Sequence, residues 1–191
     1  MMENDKKERL IKVQPTLQFN RIKDDYKIVE ADAEKNKAVI ECDILKFAAN
    51  VHGIGIVHQA NCQHIMGGGV ALALRKEWPE VYSVDSEEAS GPLGESRLGL
   101  FSYACVDDYR QIFVVNMYSQ LHVKSVSRQT NFDKFERTLR NIKDHFLKPN
   151  NLTCVMPYGI GCGLAGGDWV IVSRLIDNAL EGYPCVLCKM P

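Results

Sequence analysis

Between Met156 and Trp169 the chain reads Met-Pro-Tyr-Gly-Ile-Gly-Cys-Gly-Leu-Ala-Gly-Gly-Asp-Trp, a stretch with five glycines at 159, 161, 163, 166 and 167. Before it, Leu152-Thr-Cys-Val-Met156 is a short apolar run with β-branched residues, which predicts a buried strand. After it, Trp169 to Leu180 carries apolar residues at helical spacing. Glycine tolerates positive φ and has no Cβ to hold a ligand away, so backbone N–H groups can converge on one point. A glycine-rich turn that feeds a helix N-terminus is therefore suited to anions: its N–H groups lack partners and the helix dipole favours negative charge. An ordinary strand-to-helix turn that uses glycine for close packing would read the same way.

The same grammar occurs a second time. Gly53-Ile-Gly-Ile-Val-His-Gln-Ala60 predicts a strand, followed by Asn61-Cys-Gln-His64, the Gly67-Gly-Gly69 triplet and a helix over Val70–Trp78 that Pro79 stops. Two strand–glycine–helix units are harder to explain as turn chemistry than one, and together they point to a phosphate-bearing ligand. Elsewhere, Tyr26–Ala31 and Lys37–Asp43 predict two short strands, and Asp43 stands where it can cap a short helix over Ile44–Ala49. Ser83 to Ser96 is expected as a polar surface loop, Leu98–Val106 and Gln111–Tyr118 as consecutive strands, and 119–129 as irregular. Thr130 or Asn131 caps an amphipathic helix to about Phe146, and Pro184–Cys188 is the last strand. Alternating strands and helices imply an α/β fold, a three-layer α/β/α sandwich with a mixed central sheet. Ligands in such folds lie beyond the C-terminal strand ends, where both glycine loops fall.

With 191 residues the chain is long enough for a sizeable core; residues 1–24 are charged and weakly patterned, and 25–191 are expected to form a single domain. A net charge of −1 gives no support for broad electrostatic capture of nucleic acid or anionic membrane. No apolar run reaches transmembrane length and the N-terminus lacks the apolar core of a signal peptide. The seven cysteines are scattered, mostly in strand-like runs, as expected for free thiols in a reducing cytoplasmic or nuclear setting. Cys185 and Cys188 form a C-x-x-C inside a predicted strand, where side chains three apart face opposite sides. No further ligands stand at matching spacing, so neither a metal nor a cofactor is expected.

The strand-end pair Asp43-Ile44, the Gln59-Ala-Asn61 strand end, Met66-Gly-Gly-Gly-Val-Ala-Leu-Ala-Leu74 and Pro157–Trp169 together resemble the macro domain, an ADP-ribose-binding module. The resemblance covers roughly residues 38 to 188. Within that family it is similar to the branch of ADP-ribose 1″-phosphate phosphatases, terminal ADP-ribose protein hydrolases and antitoxin-type DNA ADP-ribosyl hydrolases. The resemblance implies that Asp43 accepts from the adenine amino group with the Ile44 backbone beside it. It further implies that Gly67, Gly68, Gly69 and Val70 wrap the distal ribose and one phosphate. The run Tyr158, Gly159, Ile160, Gly161, Cys162, Gly163, Leu164 would form the diphosphate loop, and Asn61 would meet the distal ribose hydroxyls. The implied partner is ADP-ribose or an ADP-ribosylated substrate, with nucleic acid only as a carrier of that group, no membrane, and a monomeric protein.

The chain departs from the family's hydrolases at three places. Ala71 stands where one group has a catalytic aspartate after the glycine triplet, Gln120 (or Ser119) where another has a lysine, and Ala165 where that group has an aspartate. Neither glutamine nor alanine can exchange a proton at neutral pH. Asn61, His64 and Gln120 remain as catalytic candidates, His64 as a general acid or base or else a loop histidine that shapes the site. His58 reads as a core histidine and Asp168 as an N-cap. Three functions follow: hydrolysis of an ADP-ribose derivative, non-catalytic recognition of ADP-ribose, or general nucleotide binding.

Overall fold

A computed structural model describes residues 26–86, 94–123 and 127–191. The charged segment 1–24 and parts of the two polar stretches, 87–93 and 124–126, lie outside the described residues. The elements are β1 (Lys27–Asp32), β2 (Lys37–Glu41), α1 (Ile44–Ala49), β3 (Ile54–Asn61), α2 (Gly69–Glu77), α3 (Pro79–Ser86), β4 (Phe101–Asp107), β5 (Ile112–Gln120), α4 (Phe132–Ile142), β6 (Thr153–Pro157), α5 (Trp169–Leu180) and β7 (Cys185–Lys189). A 3-10 turn, Gly94–Arg97, precedes β4, and a π turn, Lys143–Leu147, extends α4.

The seven strands form one sheet in the order β1-β2-β7-β6-β3-β5-β4. Its five inner strands are parallel, while β1 and β4 run antiparallel at the edges. Period-two alternation sorts the buried residues between two cores. Cys154, Met156, Cys185 and Leu187 face α4 and α5, where Phe135, Leu139, Val172 and Ile176 meet them. Val155, Val186 and Cys188 face the other way, against Phe47, Leu74 and Val81 from α1, α2 and α3. The result is a three-layer α/β/α sandwich. Cys185 and Cys188 lie on opposite faces of β7, as their spacing requires, and all seven cysteines are free thiols.

Two expectations need correction. Pro79 ends α2 but also starts α3, because proline's fixed φ suits the first helical position and its missing N–H costs nothing there. The segment expected as a polar loop from Ser83 to Ser96 is thus helical to Ser86, and Asp85 within it is buried, as is Arg97 just after it. The segment 119–129 is not irregular from its start, since β5 continues through Gln120 and Thr130 bridges back to that residue.

Because β2, β7, β6, β3 and β5 are parallel, their C-terminal ends share one edge of the sheet. Asp43, Lys189, Tyr158, Asn61 and Gln120 follow or end those strands in that spatial order. From β2 to β5 is four inter-strand steps, about 19 Å. Such an edge suits an elongated ligand laid across the strands.

Candidate functional site

The two glycine loops face each other across an open cleft of about 260 Å3, lined by both loops together with Gln59, Asn61, Ile65, Gln120 and Val123. They come very close. A Cβ added to Gly68 would lie 3.0 Å from Cδ1 of Leu164, so any larger residue there would push the Leu164 side chain aside. The second loop is also folded on itself: a Cβ at Gly167 would lie 2.5 Å from the Gly161 carbonyl oxygen. That oxygen already accepts from the Gly167 N–H at 2.8 Å and from the Thr130 hydroxyl at 2.6 Å. Thr130 in turn receives the Gln59 amide, which also donates to Ser119 Oγ at 3.0 Å.

Positive φ at Gly159 and Gly161, both 75°, alternates with ordinary backbone, a pattern that lets backbone N–H groups converge on an anion. The N–H groups of Ile160 and Cys162 are used inside the loop, on Pro157 O and Gly159 O. Those of Gly159, Gly161, Gly163 and Leu164 have no backbone acceptor among the described residues. Not every N–H in the run from 159 to 164 is therefore available to a ligand. Cys162 contributes no side chain to the lining; its thiol points to Ile160 O at 3.4 Å and burial raises its pKa.

Facing this loop is the N-terminus of α2. Its cap residue, Gly68, makes no side-chain capping bond, whereas α1, α4 and α5 are capped by Asp43, Asn131 and Asp168. The first-turn N–H groups of α2 are thus left to a ligand, and the dipole there favours an anion. Asp168 is an N-cap, accepting from Val170 N at 2.8 Å.

Asp43 and Ile44 do not line the space between the loops but stand beyond it, at the end of β2. Asp43 uses Oδ1 for both capping bonds, from Leu45 N at 2.8 Å and Lys46 N at 3.2 Å, which leaves Oδ2 for an outside donor. Tyr158 connects the two regions. Its N–H bonds to Cys188 O, its ring packs at a tilt against Trp169 with centroids 4.5 Å apart, and Lys189 Nζ lies 5.2 Å from its centroid.

At the other end, Asn61 is nearly buried and closes its own turn: Oδ1 accepts from Gln63 N and Ile65 N, and Nδ2 donates to Ile65 O at 2.6 Å. One amide hydrogen of Asn61 is left for a ligand. Gln120 donates to His122 O at 2.5 Å and lines the cleft beside it. The structure does not bring His64 to this group. Its ring turns away from the lining, toward Arg97 and Asp85. His58 is fully buried, its Nε2 2.6 Å from Asn116 Oδ1, and burial lowers its pKa. Ala71, Gln120 and Ala165, the three positions with departures from the hydrolase pattern, all line the cleft. Among the described residues, Tyr158 is the one lining side chain that ionises. Also among the described residues, no group of three His, Cys, Asp or Glu could hold a metal ion.

A seven-stranded mixed sheet between two helical layers, with paired glycine loops at its C-terminal edge, is the macrodomain fold. The chain superposes on Thermosipho africanus DarTG in complex with ADP-ribose (TM-score 0.66, 20% identity over 86% of this chain) but spans only 43% of that longer protein. It also matches the macrodomain of Mycobacterium tuberculosis DarG (TM-score 0.59, 19% identity, 79% of this chain and 95% of that one). The Oceanobacillus iheyensis macrodomain with ADP gives a TM-score of 0.62 at 16% identity, over 87% of this chain and 90% of that one. In sequence, 144 residues are 29% identical to an uncharacterised 17.5 kDa protein of the tk–vs intergenic region of Enterobacteria phage T4, over 73% of this chain and 86% of that one. No family model matches the sequence.

Proposed function

We propose that the cleft binds ADP-ribose, free or as the group carried by a modified molecule. One observation carries the reading: two glycine loops confront each other with N–H groups that find no backbone acceptor among the described residues on one side and a helix N-terminus without a side-chain cap on the other. That arrangement is complementary to a diphosphate, which accepts hydrogen bonds through several oxygens and carries negative charge. Asp43 Oδ2 then receives the adenine amino group, and Asn61 and Gln120 meet the distal ribose, since carboxamides suit hydroxyl partners.

Recognition without turnover is favoured by the lining, in which the positions open to catalytic side chains hold Ala71, Gln120 and Ala165. A second reading is hydrolysis of an ADP-ribose derivative, such as ADP-ribose 1″-phosphate or an ADP-ribosylated protein or nucleic acid. The paired carboxamides of Asn61 and Gln120 at the ribose end support it, because they can orient a water without exchanging protons. Calorimetric titration with ADP-ribose, followed by phosphate release from ADP-ribose 1″-phosphate, tests both. Micromolar binding without release is expected. Release that Asn61→Ala and Gln120→Ala abolish would establish the second reading, and absence of binding would overturn both.

A further inference from the structure

Behind the ribose end of the cleft lies a buried ionic cluster that the cleft chemistry does not use. Arg97, at the end of the 3-10 turn, is fully buried, and so is Tyr118 on β5; Asp85 on α3 is 1% exposed. Arg97 Nη2 donates to the Asp85 carbonyl at 2.9 Å and to the Tyr118 hydroxyl at 2.5 Å, and lies 3.6 Å from Asp85 Oδ1. The Tyr118 hydroxyl donates to Asp85 Oδ1 at 2.9 Å, and the guanidinium also stacks over the Tyr118 ring at 4.0 Å. A second guanidinium nitrogen, Nη1, reaches the imidazole of His64, 2.8 Å from Nε2 and in closer contact with Nδ1.

His64 sits in the five-residue turn that Asn61 closes, at a φ of 58° that non-glycine residues seldom adopt. The turn is thus held from two sides. Asn61 bonds Gln63 and Ile65 from the cleft side, and Arg97 grips His64 from the core side. A third tie, Gly94 N–H to Cys62 O at 3.0 Å, fastens the 3-10 turn to the same loop. A buried ion pair adds little to stability, because desolvation offsets its attraction. A buried hydrogen-bonded network does fix geometry, since each member loses heavily if it moves. Here Nη1 and Nη2 of Arg97 are both engaged, and only its Nε has no partner among the described residues.

We propose that His64, Arg97, Asp85 and Tyr118 are positioning residues for the distal ribose. They hold the Asn61–Ile65 turn so that the spare Asn61 amide hydrogen points into the cleft, and so set the preference for ADP-ribose over ADP. His64 acts through Arg97 and touches no ligand. The inference rests on the ADP-ribose reading above.

The test is calorimetric titration of the full chain with ADP-ribose and with ADP, in the native protein and in His64→Ala, His64→Asn and Tyr118→Phe. In His64→Ala, affinity for ADP-ribose falls about tenfold, the worth of one hydrogen bond to a ribose hydroxyl, while affinity for ADP holds. His64→Asn restores the preference: asparagine tolerates positive φ, and its Oδ1 stands about where Nδ1 stood to receive Arg97. Tyr118→Phe keeps the stacked ring, loses the hydroxyl and shows a smaller loss of the same kind, and decides the matter if His64→Ala does not fold. Equal losses for both ligands, or an unchanged preference in His64→Ala, overturns the positioning role. A native protein that binds ADP-ribose no better than ADP overturns the distal-ribose reading itself, a result distinct from any change among the variants.

Discussion

Gly167→Ala probes the second glycine loop at the place where its backbone is tightest. The added Cβ would lie 2.5 Å from the Gly161 carbonyl oxygen and 3.2 Å from its carbon. Both are backbone atoms, so no flexible side chain can swing aside. Relief requires the segments at 161 and 167 to separate, which strains packing by about 1–3 kcal/mol. It also stretches the 2.8 Å bond between Gly167 N–H and Gly161 O, at a further cost of about 1 kcal/mol. A loss of about 2–4 kcal/mol in a domain of this size lowers Tm by about 4–16 °C. Gly161 carries one of the N–H groups left without a backbone acceptor among the described residues, so ADP-ribose affinity falls together with stability. Gly163→Ala is the control: its Cβ meets nothing within 4 Å, and the variant should melt within about 2 °C of the native protein. Thermal melts and calorimetric titrations of both variants decide the matter. If Gly167→Ala melts and binds like the native protein, the close approach of the two backbones is wrong, and with it the shape assigned to the loop.

Three further predictions concern other parts of the site and the core. Asp43→Asn keeps a good helix cap, so stability should change by less than about 0.5 kcal/mol, but it sets an amide donor against the adenine amino group. ADP-ribose binding should drop at least about tenfold while ribose 5-phosphate binding is unaffected, and equal losses would remove Asp43 from the adenine role. Thr130→Val deletes the hydroxyl that donates to Gly161 O at 2.6 Å in a site 1% exposed, which should cost about 1–3 kcal/mol in a urea melt; an unaltered midpoint would show that the hydroxyl does not brace the loop. His58 is held neutral by burial, with its pKa below the ordinary 6.5. The unfolded chain therefore takes up the proton first, so the stability this residue contributes is complete above about pH 6.5 and is lost as pH falls toward the folded value. Urea melts of the native protein and His58→Gln over that window should give a shallower pH slope for the variant, and parallel slopes would refute the assignment.

Much of the fold was legible because its signals are local. Short continuous apolar runs mark β6 and β7, the two-residue period of a strand already places Cys185 and Cys188 on opposite faces, and Asp43, Asn131 and Asp168 announce the helices they cap. Pro79 misled because proline both ends one helix and begins the next, and only the packing of Val81 and Asp85 distinguishes the two roles. Arg97 carries no local sign of burial. Its partners Asp85, Tyr118 and His64 come from three other segments, and a charge in a polar stretch reads as solvated until those partners are in place.

The glycine loops themselves were announced by sequence alone, since glycine adopts positive φ at 159 and 161 without strain and leaves room for the Gly161 backbone at 167. Which of their N–H groups remain free was decided by the folded loop, where Ile160 and Cys162 spend theirs on neighbouring carbonyls. The tertiary structure likewise decided the place of His64. A residue three positions from Asn61 can face the cleft or the core with equal ease, and the buried guanidinium of Arg97, brought there by a distant turn, draws it inward.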